Sequence, residues 1–543
     1  MNKIGFKRIS KDNYEVHKAE TKRKDPTATY KVTTLEELDD YFADTERRFR
    51  VAAASTADGE GRGGKGKGSG EGRIDYGDLL KSLHVEGDTQ IIGSPGHPEY
   101  THPAAKILHE RRARNSKPTP GKVRQDDGMR VALAIEGGGM RGCISAGMVC
   151  AVHHLNLTDS FDVVYGSSAG TIVGAYLITG QLPWFGPEVY YDCLTTAGKR
   201  FIDTRRLLRA IGFGLLDPRL LKDVLTRPTH GKPVLNLPYL LNTTLQQKKA
   251  LDWDKFVEKQ KVQPLKVVAS GCKSEKAMVF DYESKAFENR EELAMSMHAS
   301  CLLPGIAGPL MNFDTRAGSH PGAKKFVLGN NLKGDRYEPL ADALLFEPLP
   351  YRSAVAEGAT HVVVIRSRPD GVDVTGKGSV FESLIFRRFF LRKNRLPRMY
   401  QRLKKQLHKK LYAEDVIRLN DEANSQRDYK DTSKPHLMAM ALPPGSEEIG
   451  RLETGRQAIF EGMRRGFARA YDALVEDPAE RGRGAIVAKE YFPDEIMDYD
   501  PLEISVTDES AFSVYMREND VSPKSWAEQH RMTKTSTIRA ETR

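Results

Sequence analysis

The chain has 543 residues, 39% apolar and 29% charged, which allows a large buried core and argues against a wholly disordered polymer. A formal net charge of +10 points to anionic partners, nucleic acid or a membrane surface, and says nothing about fold. Five cysteines with no C-x-x-C pair argue against a disulfide framework and a cysteine-built metal site, and fit a reducing compartment.

The first residues carry charge but no apolar segment, so no secretory signal is expected. Residues 1–57 read as a charged N-terminal extension, with a helix expected over 35–50 after the capping residues Thr33 and Thr34. Residues 58–72 (DGEGRGGKGKGSGEG) read as a Gly-rich linker. Residues 73–128 read as an irregular lead-in with a helix over 104–114.

From Met129 the pattern alternates. Val131–Ile135, Phe161–Tyr165, Pro264–Ser270 and His361–Ile365 are short apolar runs that read as buried strands. Residues 143–154 and 169–179 read as helices between them. Adjacent His153 and His154 read as ordinary helix residues rather than metal ligands. The alternation predicts an α/β domain with a largely parallel sheet, over 129–370. Val163–Gly180 is the longest mostly apolar run, but a Gly-Ser-Ser-Ala-Gly turn interrupts it. No membrane span is therefore expected. Residues 371–481 read as a basic helical region, and 482–543 as a partly disordered tail.

The sharpest local motif is GSSAG, 166–170, which fits G-x-S-x-G with Ser168 central between Gly166 and Gly170. It follows a strand-like run and precedes a helix-like one. That is the setting of a nucleophile elbow, where the helix N-terminus favours negative charge near the serine oxygen. The second motif is EGGGMRG, 136–142, which also follows a strand and opens a helix. Its backbone N–H groups suit a phosphate or an oxyanion. GGGMRG also fits the dinucleotide pattern, but Asp159 and Asp162 precede the next strand instead of ending it, against that reading. No P-loop is present.

The ordered pair of motifs resembles the patatin-like phospholipases, whose signature is D-G-G-G-x-R-G, then G-x-S-x-G, then a distant D-G-[AG]. The third element falls in LADALLFEPLPYRSAVAEGATHVVVI, with Asp342 after a short strand and before a Pro-containing turn. HASCLLPGIAGPL, 298–310, resembles the family's helix and Pro-Gly turn. The resemblance covers roughly residues 129–370. It implies a three-layer α/β fold and a lipid acyl hydrolase working through a Ser–Asp dyad. Ser168 would be the nucleophile and Asp342 the general base. Gly137, Gly138 and Gly139 would form the oxyanion hole. Arg141 and Gly142 complete the loop motif, with Arg141 expected to brace it rather than dock a phosphate. No metal or cofactor is implied, and the partner is a phospholipid or acylglycerol.

Two departures stand out. Glu136 replaces the family's Asp, and Asp342 is followed by Ala343 and Leu344 instead of glycine. A positive φ at Ala343 would be strained. That motivates two alternatives, a weakened or inactive lipid-binding protein and, separately, Asp335 as base. An acyltransferase is a third reading. The insert 314–334 is expected near the site entrance. Phe386–Lys410 joins apolar residues at helical spacing (Leu396, Met399, Tyr400, Leu403, Leu407, Leu411) to many Arg and Lys. A core-facing stripe is favoured, with peripheral contact to anionic membrane as the alternative. Nucleic acid is not expected, because no recognition motif is present. The localisation expected is cytoplasmic or peripheral to a membrane.

Overall fold

The computed structural model describes residues 100–519, apart from 122, 183–184, 211–232, 317–323, 373, 375–379 and 500–510. The helix expected over 35–50, the linker 58–72, residues 73–99 and most of the tail lie outside the described residues.

In chain order the elements that frame the site are α1 (Pro103–Ala113), β1 (Val131–Ile135), α2 (Gly142–His154), β2 (Val163–Ser167), α3 (Ala169–Ile178), α4 (Trp253–Gln260), β3 (Leu265–Gly271), β4 (Lys276–Phe280), α5 (Arg290–Ser300), β5 (Leu310–Asp314), β6 (Phe326–Gly329), β7 (Tyr337–Ala341), α6 (Tyr351–Ala356), β8 (His361–Ile365), α7 (Pro397–Lys404), α8 (Leu407–Asp421), β9 (His436–Met440), α9 (Arg456–Leu474) and α10 (Gly484–Tyr491).

The strands form one sheet in the order β6-β5-β7-β3-β2-β1-β8-β9, with β4 also on β3. From β3 to β9 every pairing is parallel. β4, β5, β6 and β7 add antiparallel pairs. Both faces are covered, which is why VALAI and HVVVI are apolar without alternation. Val131, Leu133 and Ile135 point into a core shared with Val149 of α2, Ile172 of α3, Met297 of α5 and Phe467 of α9. Ala132, Ala134, Val362 and Val364 point the other way, onto Tyr351 and Ala354 of α6 and Val416 and Ile417 of α8. The result is three layers.

The sheet does not stop at 370. β9 pairs along all of β8, and α9 packs on α2 through glycines. A Cβ on Gly147 would fall 1.9 Å from the Met463 carbonyl oxygen, and one on Gly466 would fall 2.1 Å from that of Ile144. The lead-in is equally integral. Arg111 of α1 is fully buried, donating to Asp127 at 2.7 Å and to Asp162 at 2.7 Å, and Arg124 reaches the other Asp162 oxygen at 2.8 Å. Asp162 also accepts from the Val131 N–H, tying the start of β1 to β2.

The stretch expected as one basic helix is broken. Arg395 and Gln406 take positive φ and separate α7 and α8 from the preceding helical segment Arg387–Lys393. Leu396, Met399, Leu403, Leu407 and Leu411 are buried in the core, and Tyr400 is half-buried. The insert 314–334 contributes β6, at the far edge of the sheet, and none of its described residues lines the main cavity, where the sequence placed it near the entrance; its residues 317–323 lie outside the described residues. All five cysteines are free.

Candidate active site

The topology itself brings the two halves of the site together. β3 has β2 and β4 on opposite edges, since Val267 and Val268 pair with both. β2 stops at Ser167, paired with Val268. Farther along β3, residues 270–271 take β7 on the edge β2 has vacated. The residue after β2 is Ser168, and the residue after β7 is Asp342. Strands running in opposite directions thus end near one point, with Ser168 Oγ donating to Asp342 Oδ2 at 3.1 Å.

Ser168 sits at φ 51°, ψ −125°, a sparsely populated conformation for a residue with a side chain and a store of strain of about 1–3 kcal/mol. Its flanks leave no room for side chains. A Cβ on Gly166 would lie 2.6 Å from Thr171 backbone, and one on Gly170 would lie 2.2 Å from the Ile135 carbonyl oxygen. Ser300 Oγ accepts the Ser168 N–H at 2.7 Å and Thr171 donates to the Ser168 carbonyl, so the turn is fixed from both sides. Ser167 Oγ donates to the Glu347 carbonyl, a packing role. Ser145 Oγ reaches the Glu136 carbonyl from within α2.

Asp342 is buried, its backbone N–H held by the Leu302 carbonyl and its Oδ1 by the Leu344 N–H at 2.9 Å. That leaves Oδ2 directed at the serine. Burial pushes its carboxyl up to about 6, opposed by the Leu344 N–H, the Arg451 charge and Ser168. Ala343 does not take a positive φ. It opens a short 3₁₀ turn, Ala343–Leu345, with its methyl buried. The strain expected there is absent. Asp335 is exposed in the turn that enters β7, at the opposite end of that strand from Asp342.

The glycine loop runs beside the serine. A Cβ on Gly137 would fall 2.5 Å from Ser168 Cβ. Gly138 at φ 153° and Gly139 at φ 62° adopt backbone that only glycine takes readily. Among the described residues the N–H groups of Gly137, Gly138 and Gly139 meet no acceptor. Gly142 starts α2 so close to α3 that its Cβ would touch Ala169 Cβ at 2.9 Å. Arg141 is buried, donating to Ser367 Oγ at 3.2 Å and paired with Glu448. Ser367 in turn donates through Oγ to the Gly137 carbonyl and through N–H to Glu136. Arg141 and Glu136 therefore brace the loop, and the longer carboxylate of Glu136 reaches the strand β8 exit.

These groups open onto a cavity of about 550 Å³. Leu194, Phe201, Leu237, Leu303, Ile306 and Phe386 are among its apolar walls, a lining suited to a hydrocarbon chain at about 0.8 kcal/mol per buried methylene. Sequence reasoning missed two contributors. Cys301 lines the cavity with its thiol in hydrogen-bonding reach of Ser168, and burial pushes that thiol well up. The segment Glu448–Leu452 closes over the glycine loop, with the Arg451 carbonyl accepting from the Met140 N–H at 3.1 Å. No local pattern marks that segment. The HASCLLPGIAGPL resemblance did mark the turn that carries Cys301.

Residues 133–355 match the family model of the patatin-like phospholipases. The chain carries a patatin-like phospholipase domain. No curated protein sequence matches the chain. The crystal structure of VipD from Legionella pneumophila aligns with 72% of this chain and 79% of its own, at 12% identity and a TM-score of 0.28. The patatin-like domain contains Ser168, Asp342 and the glycine loop. The Glu448–Leu452 segment that covers the loop lies outside it. The family is one of lipid acyl hydrolases. No helix among the described residues is long and apolar enough to cross a membrane.

Proposed function

We propose that the protein hydrolyses the acyl esters of phospholipids or acylglycerols through a Ser168–Asp342 dyad. The observation that carries the reading is the 3.1 Å contact from Ser168 Oγ to Asp342 Oδ2 at the wall of an apolar cavity, beside unoccupied glycine N–H groups. Asp342 takes the hydroxyl proton as Oγ attacks the ester carbonyl carbon. The carbonyl oxygen becomes an oxyanion facing the N–H groups of Gly137, Gly138 and Gly139, each such donor being worth roughly 3–4 kcal/mol in the transition state. The tetrahedral species collapses, the C–O bond to the alcohol breaks, and Asp342 returns its proton to that oxygen. Water then attacks the acyl-enzyme with Asp342 again as base, releasing the fatty acid and restoring Ser168. Relaxed backbone at Ala343 supports an active enzyme over an inactive lipid-binding protein.

The test is release of fatty acid from phosphatidylcholine and diacylglycerol by wild type, Ser168→Ala and Asp342→Asn. The expected result is turnover in the wild type and a loss of at least about a hundredfold in each variant. Wild-type protein that releases no acid from either lipid would remove the reading. An acyl group appearing on an alcohol acceptor instead of as free acid would make it a transferase.

The mouth of the cavity supports peripheral contact with anionic membrane. Val380 and Leu384 on the helix whose Ile385 and Phe386 line the cavity are exposed, as is Leu391, among exposed Arg387, Arg392 and Arg395. This patch replaces the buried Leu396–Leu411 stripe as the contact face. Sedimentation with phosphatidylserine vesicles should fall when Val380 and Leu384 are both changed to Ser; equal binding would contradict it.

A further inference from the structure

We infer that Arg451, which lies outside the patatin-like domain, is a specificity-determining residue whose guanidinium receives the phosphate of a phospholipid bound with its acyl ester at Ser168. The inference rests on the hydrolase reading above and adds which feature of the substrate the enzyme reads.

Charge balance around the cavity singles Arg451 out. Glu448 is matched by Arg141 and by Arg368 at 3.0 Å. Glu382 faces Lys409 at 3.7 Å across the opening. Arg451 lines the same cavity, is exposed to its solvent, and has no carboxylate partner among the described residues. Its charge is close enough to act on Asp342 and on His408. A guanidinium at the wall of an apolar cavity, with no salt bridge of its own among the described residues, is suited to take the phosphate of an entering lipid in a two-pronged contact.

Its position is fixed by the catalytic loop. The Arg451 carbonyl takes the Met140 N–H, and a Cβ on Gly139 would stand 2.6 Å from that same oxygen. The side chain therefore starts from a backbone pinned to the glycines that face the reacting ester. In a glycerophospholipid the phosphate is separated from the acyl ester by only the glycerol carbons, so both ends can be held at once. A second observation points the same way. His408, also on the cavity wall, has a buried Nδ1 with no partner among the described residues. Burial first, then the charges of Lys409, Arg451 and Arg402, pushes its ring down to about 3. A neutral imidazole can donate one hydrogen bond to an anion beside Arg451.

The test compares kcat/KM for phosphatidylcholine and for diacylglycerol of identical acyl chains, presented in the same neutral mixed micelles. Arg451→Gln should lower the phospholipid-to-diacylglycerol ratio about tenfold, through KM, and Arg451→Lys should restore most of it. A ratio unchanged in Arg451→Gln, or both substrates falling together, would overturn the assignment. Fluorophosphonate labelling of Ser168 in Arg451→Gln reports whether the site is still assembled. A binding arm keeps this separate from the hydrolase reading. Wild type and Arg451→Gln are titrated with a short-chain phosphatidylcholine below its micelle concentration, and separately with inorganic phosphate. About tenfold weaker lipid binding in Arg451→Gln supports the inference even in a protein that turns nothing over. Arg451-dependent binding of inorganic phosphate without Arg451-dependent binding of the lipid would overturn it.

Discussion

Asp342 carries opposing demands. As the proposed base it must be ionised, yet the fold buries it. Its carboxyl is raised above the ordinary 3.8 to about 6, so the folded state favours the protonated form. The stability this contributes is complete below pH 3.8 and is lost as pH rises through about 6. Activity has the opposite sign, since the base form appears over that same rise. The turnover rate should therefore climb with pH through a midpoint near 6, and a profile flat from pH 5 to 8 would contradict Asp342 as base. At pH 7.5, Asp342→Asn should be inactive and yet more stable by roughly 2–3 kcal/mol, read from urea unfolding. Ser168 was legible as a candidate from its pentapeptide together with the strand-like run before it and the helix-like run after it, because a nucleophile elbow is a local device. Asp342 was legible only through the order of motifs in a family, because its turn has no signature of its own. Arg451 and Glu448 were not legible at all. Their role depends on where the chain returns some three hundred residues after the glycine loop.

At the scale of elements, the parallel strands were readable because burial on both faces makes them continuous apolar runs. β1 and β8 fall on the bounds read from the sequence, β3 shifts by one residue and β2 by two, so that β2 runs on to Ser167, directly against Ser168. β4 is mostly half-exposed and β6 has four residues, so neither announces itself. HLMAM, the sequence of β9, suits a helix as well as a strand, and it was absorbed into a region read as helical. The glycines of α2 and α9 carry information that propensity inverts. Within a helix they read as a weakness, whereas here they allow two backbones to meet. Gly147→Ala and Gly466→Ala should each cost about 2–3 kcal/mol, because the added methyl meets backbone that cannot rotate away. Thermal unfolding would measure this, and a loss below about 0.5 kcal/mol would contradict the close crossing. The lead-in makes a similar point with charge. Arg111→Ala would take from Asp127 its two-pronged partner and leave Asp162 with Arg124 alone, and should destabilise by roughly 3–5 kcal/mol.

At the scale of the whole molecule, the patatin-like domain is not self-sufficient. β9, α9 and α10 share its core, and the segment between β9 and α9 covers the glycine loop. A chain ending at residue 370 should be insoluble or unfolded; a soluble, cooperatively unfolding fragment would contradict the shared core. Buried histidines also set a pH limit. His361 and His436 stack at 4.7 Å. Burial pushes His102, His361 and His408 down to about 3 and His298 to about 4, and lowers His109 and His436. Their neutral forms contribute stability fully above pH 6.5, lost as pH falls toward about 3. Asp342, Glu347, Glu275 and Asp421, raised by burial, act the other way. The histidines are more numerous, and His102, His361 and His408 are displaced further than Asp342 or Glu347, so net stability should fall between pH 6.5 and 4.

The most direct measurement is the rate at which a fluorophosphonate labels the protein, with the adduct located by mass spectrometry. A dyad of Ser168 and Asp342 predicts a single adduct on Ser168, formed at least about a hundredfold more slowly in Asp342→Asn. An adduct elsewhere, no adduct in the wild type, or the same rate in Asp342→Asn would contradict it.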